Sequence, residues 1–397
     1  MVYSYPARAL IDINALTHNA KLLLRKAPET RHLGIVKADA YGHGHSSIAV
    51  ALGRAGYQAI GVAQIEEALA VRDALDLAGF SDVMLFSWVI PADGTLVASE
   101  AIERGIEVAA STPVQVAMLA DCATAENPAR LHLKLDTGMS RAGATLVEFP
   151  QLVEAALASD SLKIVGLWSH LACADDFSED ALKATANQKA IFDAGCEILS
   201  SYGVTDFIRH IGATSVTFWH PQLHYDMVRD GIGLYGLTPN PKLASSDELG
   251  LMPVMNLVAN LMQVKRVAAG AIVSYGGTWK APTDRWLGLV PLGYGDGVPR
   301  HASNTAEVSV YSSGKMQRAK VVGRVCMDQF MIDLGPAVDE KGMELPAPAV
   351  PGDSAVLFGN PERFPGCPSV DEWAQACDTI NYEIVTRLGS RVPREYV

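Results

Sequence analysis

Side chains able to do chemistry recur in this 397-residue sequence directly after short apolar runs. Lys37 follows Ile35-Val36 and is trailed by Tyr41-Gly42-His43-Gly44. Lys134, Asp136 and Arg141 fall within LHLKLDTGMSRAG, His170 closes GLWSH, and Ala213, Thr214 and Ser215 come shortly after His210. Arg229 precedes Gly231-Ile232-Gly233 in DMVRDGIGLYG. A lysine held in a desolvated mouth loses preference for its charged form and moves toward the neutral amine that carbonyl chemistry needs. Glycines after a strand expose backbone amides that can hold a phosphate. Singly, each has an ordinary alternative: a solvated lysine, a hydrogen-bonded core histidine, a structural ion pair, a tight turn. Their shared placement points to a site.

Such placement requires a scaffold that delivers many strand ends to one place. Apolar runs at Gly34–Ala38, Ala59–Ala63, Val83–Phe86, Ile106–Ala110, Leu131–Asp136, Ile164–Ser169, Phe207–Ile211 and Met227–Tyr235 alternate with helical patterns such as Ile65–Leu77 and Glu179–Leu199. Eight such units in about 230 residues predict an α/β chain beginning with a TIM (β/α)8 barrel, whose strands are buried on both faces and whose chemistry sits at their carboxyl ends. A doubly wound open sheet is the alternative. Past Leu251 the texture becomes β-rich, broken by Gly and Pro, with one helix expected over Val370–Leu388 behind a Ser369/Glu372 capping box. The expected organisation is a barrel domain over 1–245 and a mainly-β C-terminal domain over 246–397.

Composition narrows the function classes. At 49% hydrophobic and 19% charged the chain is too apolar for disorder, and 32 basic against 44 acidic residues, a net charge of −12, disfavour nucleic acid and anionic membranes as partners. No apolar stretch approaches the ~20 residues of a membrane span, and the N-terminus lacks the pattern of a signal peptide, so a cytoplasmic protein is expected. The six cysteines form no C-x-x-C pair, which argues against a disulfide framework and a metal site.

Seven blocks, VKADAYGHG, LDTGMSRAG, DMVRDGIGLYG, SYGGTW, GYGDG, VGRVCMDQFMID and NYE, stand in an order that closely resembles the alanine racemases, fold-type III enzymes using pyridoxal 5′-phosphate. The resemblance runs from Arg8 to Tyr396. It implies that Lys37 binds the cofactor covalently and acts as one catalytic base, with Tyr275 of SYGGTW as the opposite base. Inverting a Cα centre removes a proton from one face and returns one to the other, so two groups flanking a planar adduct suit it. His170 and Arg229 are implied as cationic or hydrogen-bonding neighbours that help the tyrosine ionise. Arg229 is implied as the partner of the pyridine nitrogen, to which an arginine can only donate.

By the same resemblance the phosphate falls to Tyr41, Thr214, the backbone of Gly231 and Ile232, and Tyr382. The family pattern has Asn-Ser where this sequence has Ala213-Thr214, so Ser215 is a second candidate. Arg141 is implied to contact the cofactor's phenolic oxygen and the substrate carboxylate, and the backbone of the loop holding Met327 and Asp328 to bind that carboxylate. Lys134 matches a position that the family often carries carbamylated, and Tyr294 with Tyr382 an aromatic pair that narrows the substrate space. A head-to-tail homodimer is implied, in which Tyr275, Tyr294 and Met327 complete the partner's site. The expected reaction is interconversion of L- and D-alanine, supplying D-alanine for peptidoglycan. A broader or serine racemase is the alternative. A non-catalytic cofactor-homeostasis protein would lack the second domain, and a decarboxylase would need an acidic residue in place of Arg229.

Overall fold

The computed structural model describes residues 5–91 and 93–397. The chain divides into two compact units: Leu16–Ala40 with Gly44–Leu251, and Met252–Val397 with the N-terminal strand and Tyr41–His43.

The N-terminal strand is β1 (Ala7–Ile11). Eight parallel strands then form the first unit's sheet: β2 (Arg31–Ile35), β3 (Ala59–Gln64), β4 (Met84–Val89), β5 (Glu107–Ala110), β6 (Ala129–Lys134), β7 (Leu162–Trp168), β8 (Ile208–His210) and β9 (Met227–Asp230). From β3 to β8 each strand lies beside its predecessor, and β9 returns to β2 with Arg31 opposite Met227. The remaining gap, between β8 and β9, is spanned by a parallel bridge from Ala213 to Arg229, with the Arg229 N–H on the Gly212 carbonyl at 3.0 Å. This is the expected (β/α)8 barrel. Its strands are apolar because both faces are covered: β5 and β9 are buried along their whole length.

The helix Ile65–Leu77 has the predicted bounds, burying Ile65, Ala68, Val71, Arg72 and Leu75 at helical spacing behind a Gln64/Glu67 capping box. Two strand expectations are corrected. β2 stops at Ile35, so Lys37 begins a turn instead of lying in the strand's last residues. β9 stops at Asp230, because Gly231 leaves the ladder and Ile232–Tyr235 close into a 3-10 turn.

In the second unit, a nine-stranded sheet runs in the order Gln263–Val267, Arg285–Val290, Phe330–Pro336, Lys315–Val322, Glu307–Ser312, Ser354–Phe358, Met255–Asn260, β1 and Arg394–Tyr396. β1 pairs antiparallel with Met255–Asn260 and parallel with Arg394–Tyr396, although its position in the sequence places it ahead of the barrel strands. The single helix expected over Val370–Leu388 is two helices, Val370–Ala376 and Asn381–Thr386; Asp378 between them has φ 53°, which no right-handed helix accommodates. The Ser369/Glu372 capping box is present at the first. Among the described residues no helix is long and apolar enough to cross a membrane, no three His, Cys, Asp or Glu side chains are grouped to hold a metal ion, and all six cysteines are free.

Candidate active site

Lys37 opens a short left-handed turn. Ala38, Asp39, Ala40 and Tyr41 all have φ between 52° and 53°, a run that costs on the order of 1 to 2 kcal/mol per residue and is held by Ala40 N–H on Val36 O and Gly44 N–H on Asp39 O, each 2.8 Å. Asp39 also caps the following helix through the His45 N–H and ring at 2.9 and 2.8 Å.

Within the barrel unit, Lys37, Lys134, Arg141, His170 and Arg229 come close enough to perturb one another. Burial, then the charges of Arg141 and Arg229, lower the Lys37 amine, with Glu67 opposing. The same causes bring Lys134 down to about 8. Arg229, only 4% exposed at the β9 end, is drawn down to about 9 by burial and by Arg141, and stays cationic at neutral pH. Aromatic faces line the cluster: Lys134 Nζ is 4.2 Å from the Trp168 ring centroid, Arg229 Cζ 5.5 Å from the same ring, and Lys37 Nζ 5.7 Å from Trp88. Trp168 Nε1 is buried with no hydrogen-bond partner among the described residues.

His170 departs from expectation in its charge. Burial, then Arg229, Arg141 and the two lysines, hold it well below the ordinary imidazole range, and its Nδ1 accepts from Arg229 Nη2 at 2.9 Å. It is therefore a neutral imidazole, and of the two roles open to it only hydrogen bonding survives. The two N–H groups of Arg229 Nη2 are shared between His170 Nδ1 and the carbonyls of Ser169 and Ile211, at 2.8 and 3.0 Å. Thr214 Oγ1 accepts from the Gly231 and Gly233 N–H groups at 2.9 and 3.5 Å, with Ser215 buried beside it and Ile232 next in the turn.

The second unit carries the other sequence candidates. Tyr275 begins a 3-10 turn after Ser274, whose φ is 62°, and is 71% exposed. Ser274 anchors that turn on the Arg324 carbonyl at 2.6 Å. Tyr294 and Gly295 donate their N–H groups to the Cys326 and Met327 carbonyls at 3.0 and 2.8 Å, so the GYGDG and CMDQ loops are stitched together; Gly293 permits this, since a Cβ there would lie 2.3 Å from both carbonyls. Asp328 pairs with Arg391 at 2.8 Å, and Arg391 with buried Asp296 at the same distance. The Tyr382 ring lies 6.2 Å from that of Tyr41, whose phenol burial pushes upward.

Sequence reading passed over Glu107 and Trp168 and gave no role to His132 and His210, which the barrel packs behind Arg229. Their signal was the period-two recurrence of polar groups in otherwise buried strands, as in His132 and Lys134 of β6.

A family model described as "Alanine racemase, N-terminal domain" matches residues 11–239, and one described as "Alanine racemase, C-terminal domain" matches 254–396. An alanine racemase of Streptomyces coelicolor is 41% identical over 98% of this chain and 96% of its own, and one from Mycolicibacterium smegmatis is 37% identical over 98% and 95%. Among solved structures, the alanine racemase of Streptomyces coelicolor superposes with a TM-score of 0.89, covering 99% of this chain and 98% of that one, and that of Streptomyces lavendulae with 0.88 at 37% identity, covering 99% and 97%.

Proposed function

Because this chain belongs to the alanine racemase family, an isomerase family whose members it matches along nearly their full length, we propose that it interconverts L- and D-alanine using pyridoxal 5′-phosphate. The observation that carries the reading is the convergence of Lys37, Lys134, Arg141 and Arg229 at one end of the barrel, mutually repelling and, among the described residues, in no salt bridge. The residues fit the cofactor. Its phosphate and phenolic oxygen supply the negative charge the cluster lacks, its pyridine nitrogen can accept from the Arg229 guanidinium, and its aldehyde needs an amine whose proton is easily lost. When bound, it supplies a carbonyl carbon for the amino group and an electron-withdrawing ring that acidifies the substrate Cα–H.

Lys37 Nζ, its preference for the charged form reduced by burial and by two guanidinium neighbours, holds or moves the Cα proton on one face. Tyr275 Oη serves the opposite face, supplied by the partner in a head-to-tail homodimer. His170, neutral and held on Arg229, can offer its Nε2–H to that phenolic oxygen. Thr214 Oγ1 already accepts from two backbone amides, which leaves its own proton to donate to the phosphate alongside Ser215, the Ile232 N–H, Tyr41 and Tyr382; the Gly231 N–H is engaged by Thr214 in this arrangement. Arg141 and the backbone of the Met327-Asp328 loop receive the substrate carboxylate. Lys134, carbamylated, would turn a buried cation into an anion that pairs with Arg141. The enzyme's place is cytoplasmic, making D-alanine for peptidoglycan.

The test is a racemisation assay coupled with borohydride reduction and peptide mapping. Alanine should be racemised, and the phosphopyridoxyl group should map to Lys37; mapping to Lys134, or no turnover by cofactor-loaded protein, would overturn the reading.

A further inference from the structure

Behind Arg229 the barrel core holds a continuous line of polar side chains. Arg229 Nη1 lies 3.3 Å from His210 Nδ1, His210 Nε2 lies 2.9 Å from His132 Nδ1, and His132 Nε2 lies 2.7 Å from Glu107 Oε2, whose other oxygen takes Arg130 Nε at 2.6 Å. His132, His210, Glu107 and Arg229 are all buried. They sit on four strands, β6, β8, β5 and β9, so only barrel closure aligns them.

The direction of every proton follows from which atoms can donate. A guanidinium has no acceptor, so His210 Nδ1 must accept and its proton sits on Nε2. That proton faces His132 Nδ1, which must in turn accept, leaving the His132 proton on Nε2 and aimed at Glu107. A carboxylate only accepts when ionised, and the chain ends there. Reversing any one proton would set two donors or two acceptors against each other among side chains that are all buried from solvent. Burial, above all, holds His210 well below the usual imidazole range, and although burial works against the Glu107 charge, hydrogen bonds from His132 and Arg130 keep its carboxyl below the ordinary range.

We infer that Glu107, His132 and His210 are positioning residues: a buried relay through which the Glu107 carboxylate, acting across two neutral imidazoles, fixes the orientation of the Arg229 guanidinium. Arg229 is then held on two sides, by His210 at Nη1 and by His170 with two carbonyls at Nη2, and its remaining Nη1 proton is left pointing in one direction. The inference rests on the reading of Arg229 as the group that faces the pyridine nitrogen. A guanidinium free to tilt would weaken that contact and admit other donors to the ring nitrogen, so the relay guards the reaction's outcome as well as its rate.

The experiment uses the full chain, labelled with ¹⁵N-histidine and compared with and without pyridoxal 5′-phosphate. Long-range ¹H–¹⁵N spectra of the cofactor-free protein should find His132, His170 and His210 all as the Nε2–H tautomer. An Nδ1–H His210 or a doubly protonated His132 would overturn the relay whatever the variants do. In the loaded enzyme, His132→Phe keeps the ring's bulk and removes both contacts; kcat should fall about 10- to 100-fold with KM little changed, as expected for misplacing a reacting group by a fraction of an ångström, and pyruvate from alanine should rise. His132→Gln, whose amide can accept from His210 and donate to Glu107, should recover most of that loss. A folded His132→Phe with unchanged kcat and unchanged partition, or a Gln variant no better than Phe, would reduce the line to core packing. If wild-type protein fails to racemise alanine or to trap cofactor on Lys37, the functional reading falls while the tautomer result stands by itself.

Discussion

Nη2 of Arg229 donates to Nδ1 of His170 at 2.9 Å, and because no guanidinium nitrogen can accept, this contact alone makes His170 a neutral imidazole with its proton on Nε2. Help for a tyrosine proton acceptor must then come from that single N–H and not from an imidazolium charge. One arginine thereby sets the protonation of both histidines it touches.

If the second unit completes the partner's site, inactive subunits should complement each other. Lys37→Ala and Tyr275→Phe should each abolish activity alone, whereas a heterodimer would collect both lesions in one site and leave the other whole. Equal mixing with full exchange should restore about one quarter of wild-type activity, half the dimers being mixed and half their sites intact. Absence of recovery despite exchange proven by native mass spectrometry would mean that each site is built from one chain.

Carbamylation of Lys134 needs the neutral amine, and an amine brought down to about 8 supplies it near that pH. With ¹³C-bicarbonate, a carbamate carbon signal should be visible at pH 8, fade as the pH falls toward 6 and the amine protonates, and be absent from Lys134→Ala. A signal that survives in Lys134→Ala belongs to another lysine.

Gly166 of β7 lies against the relay, where an added Cβ would come within 2.0 Å of His132 Nδ1. Gly166→Ala should therefore destabilise the barrel by about 1 to 3 kcal/mol or more, since neither the ring nor the strand can retreat from a packed core. Thermal unfolding checks this; an unchanged Tm would mean that the core there is softer than its packing implies.

Substrate choice should rest on bulk near Tyr294 and Tyr382. A tight apolar pocket separates ligands differing by one heavy atom by about 1 to 3 kcal/mol, so kcat/KM for serine should trail alanine about 10- to 200-fold. Tyr382→Asn should narrow that gap and weaken cofactor binding together. Parity between serine and alanine in the wild type would favour the broad-specificity alternative.

Local chemistry by itself determined a large part of this protein. The bounds of Ile65–Leu77, the capping box at Ser369 and the eight apolar strands follow from periodicity, caps and two-sided burial, which act over a few residues, and the seven sequence blocks carried the family. What only the tertiary structure decided depends on groups distant in sequence. That β1 joins the second unit's sheet is one such feature: its partners, Met255–Asn260 and Arg394–Tyr396, lie more than two hundred residues away, beyond the reach of any local preference. The left-handed turn after Lys37 needs positive φ at Ala38, Ala40 and Tyr41, whose intrinsic preference opposes it, so surrounding contacts had to impose it. The neutrality of His170, the easily lost proton of Lys134 and the line from Glu107 to Arg229 arise from charges that repel or align only when the barrel closes, since electrostatic coupling depends on distance through space and not along the chain.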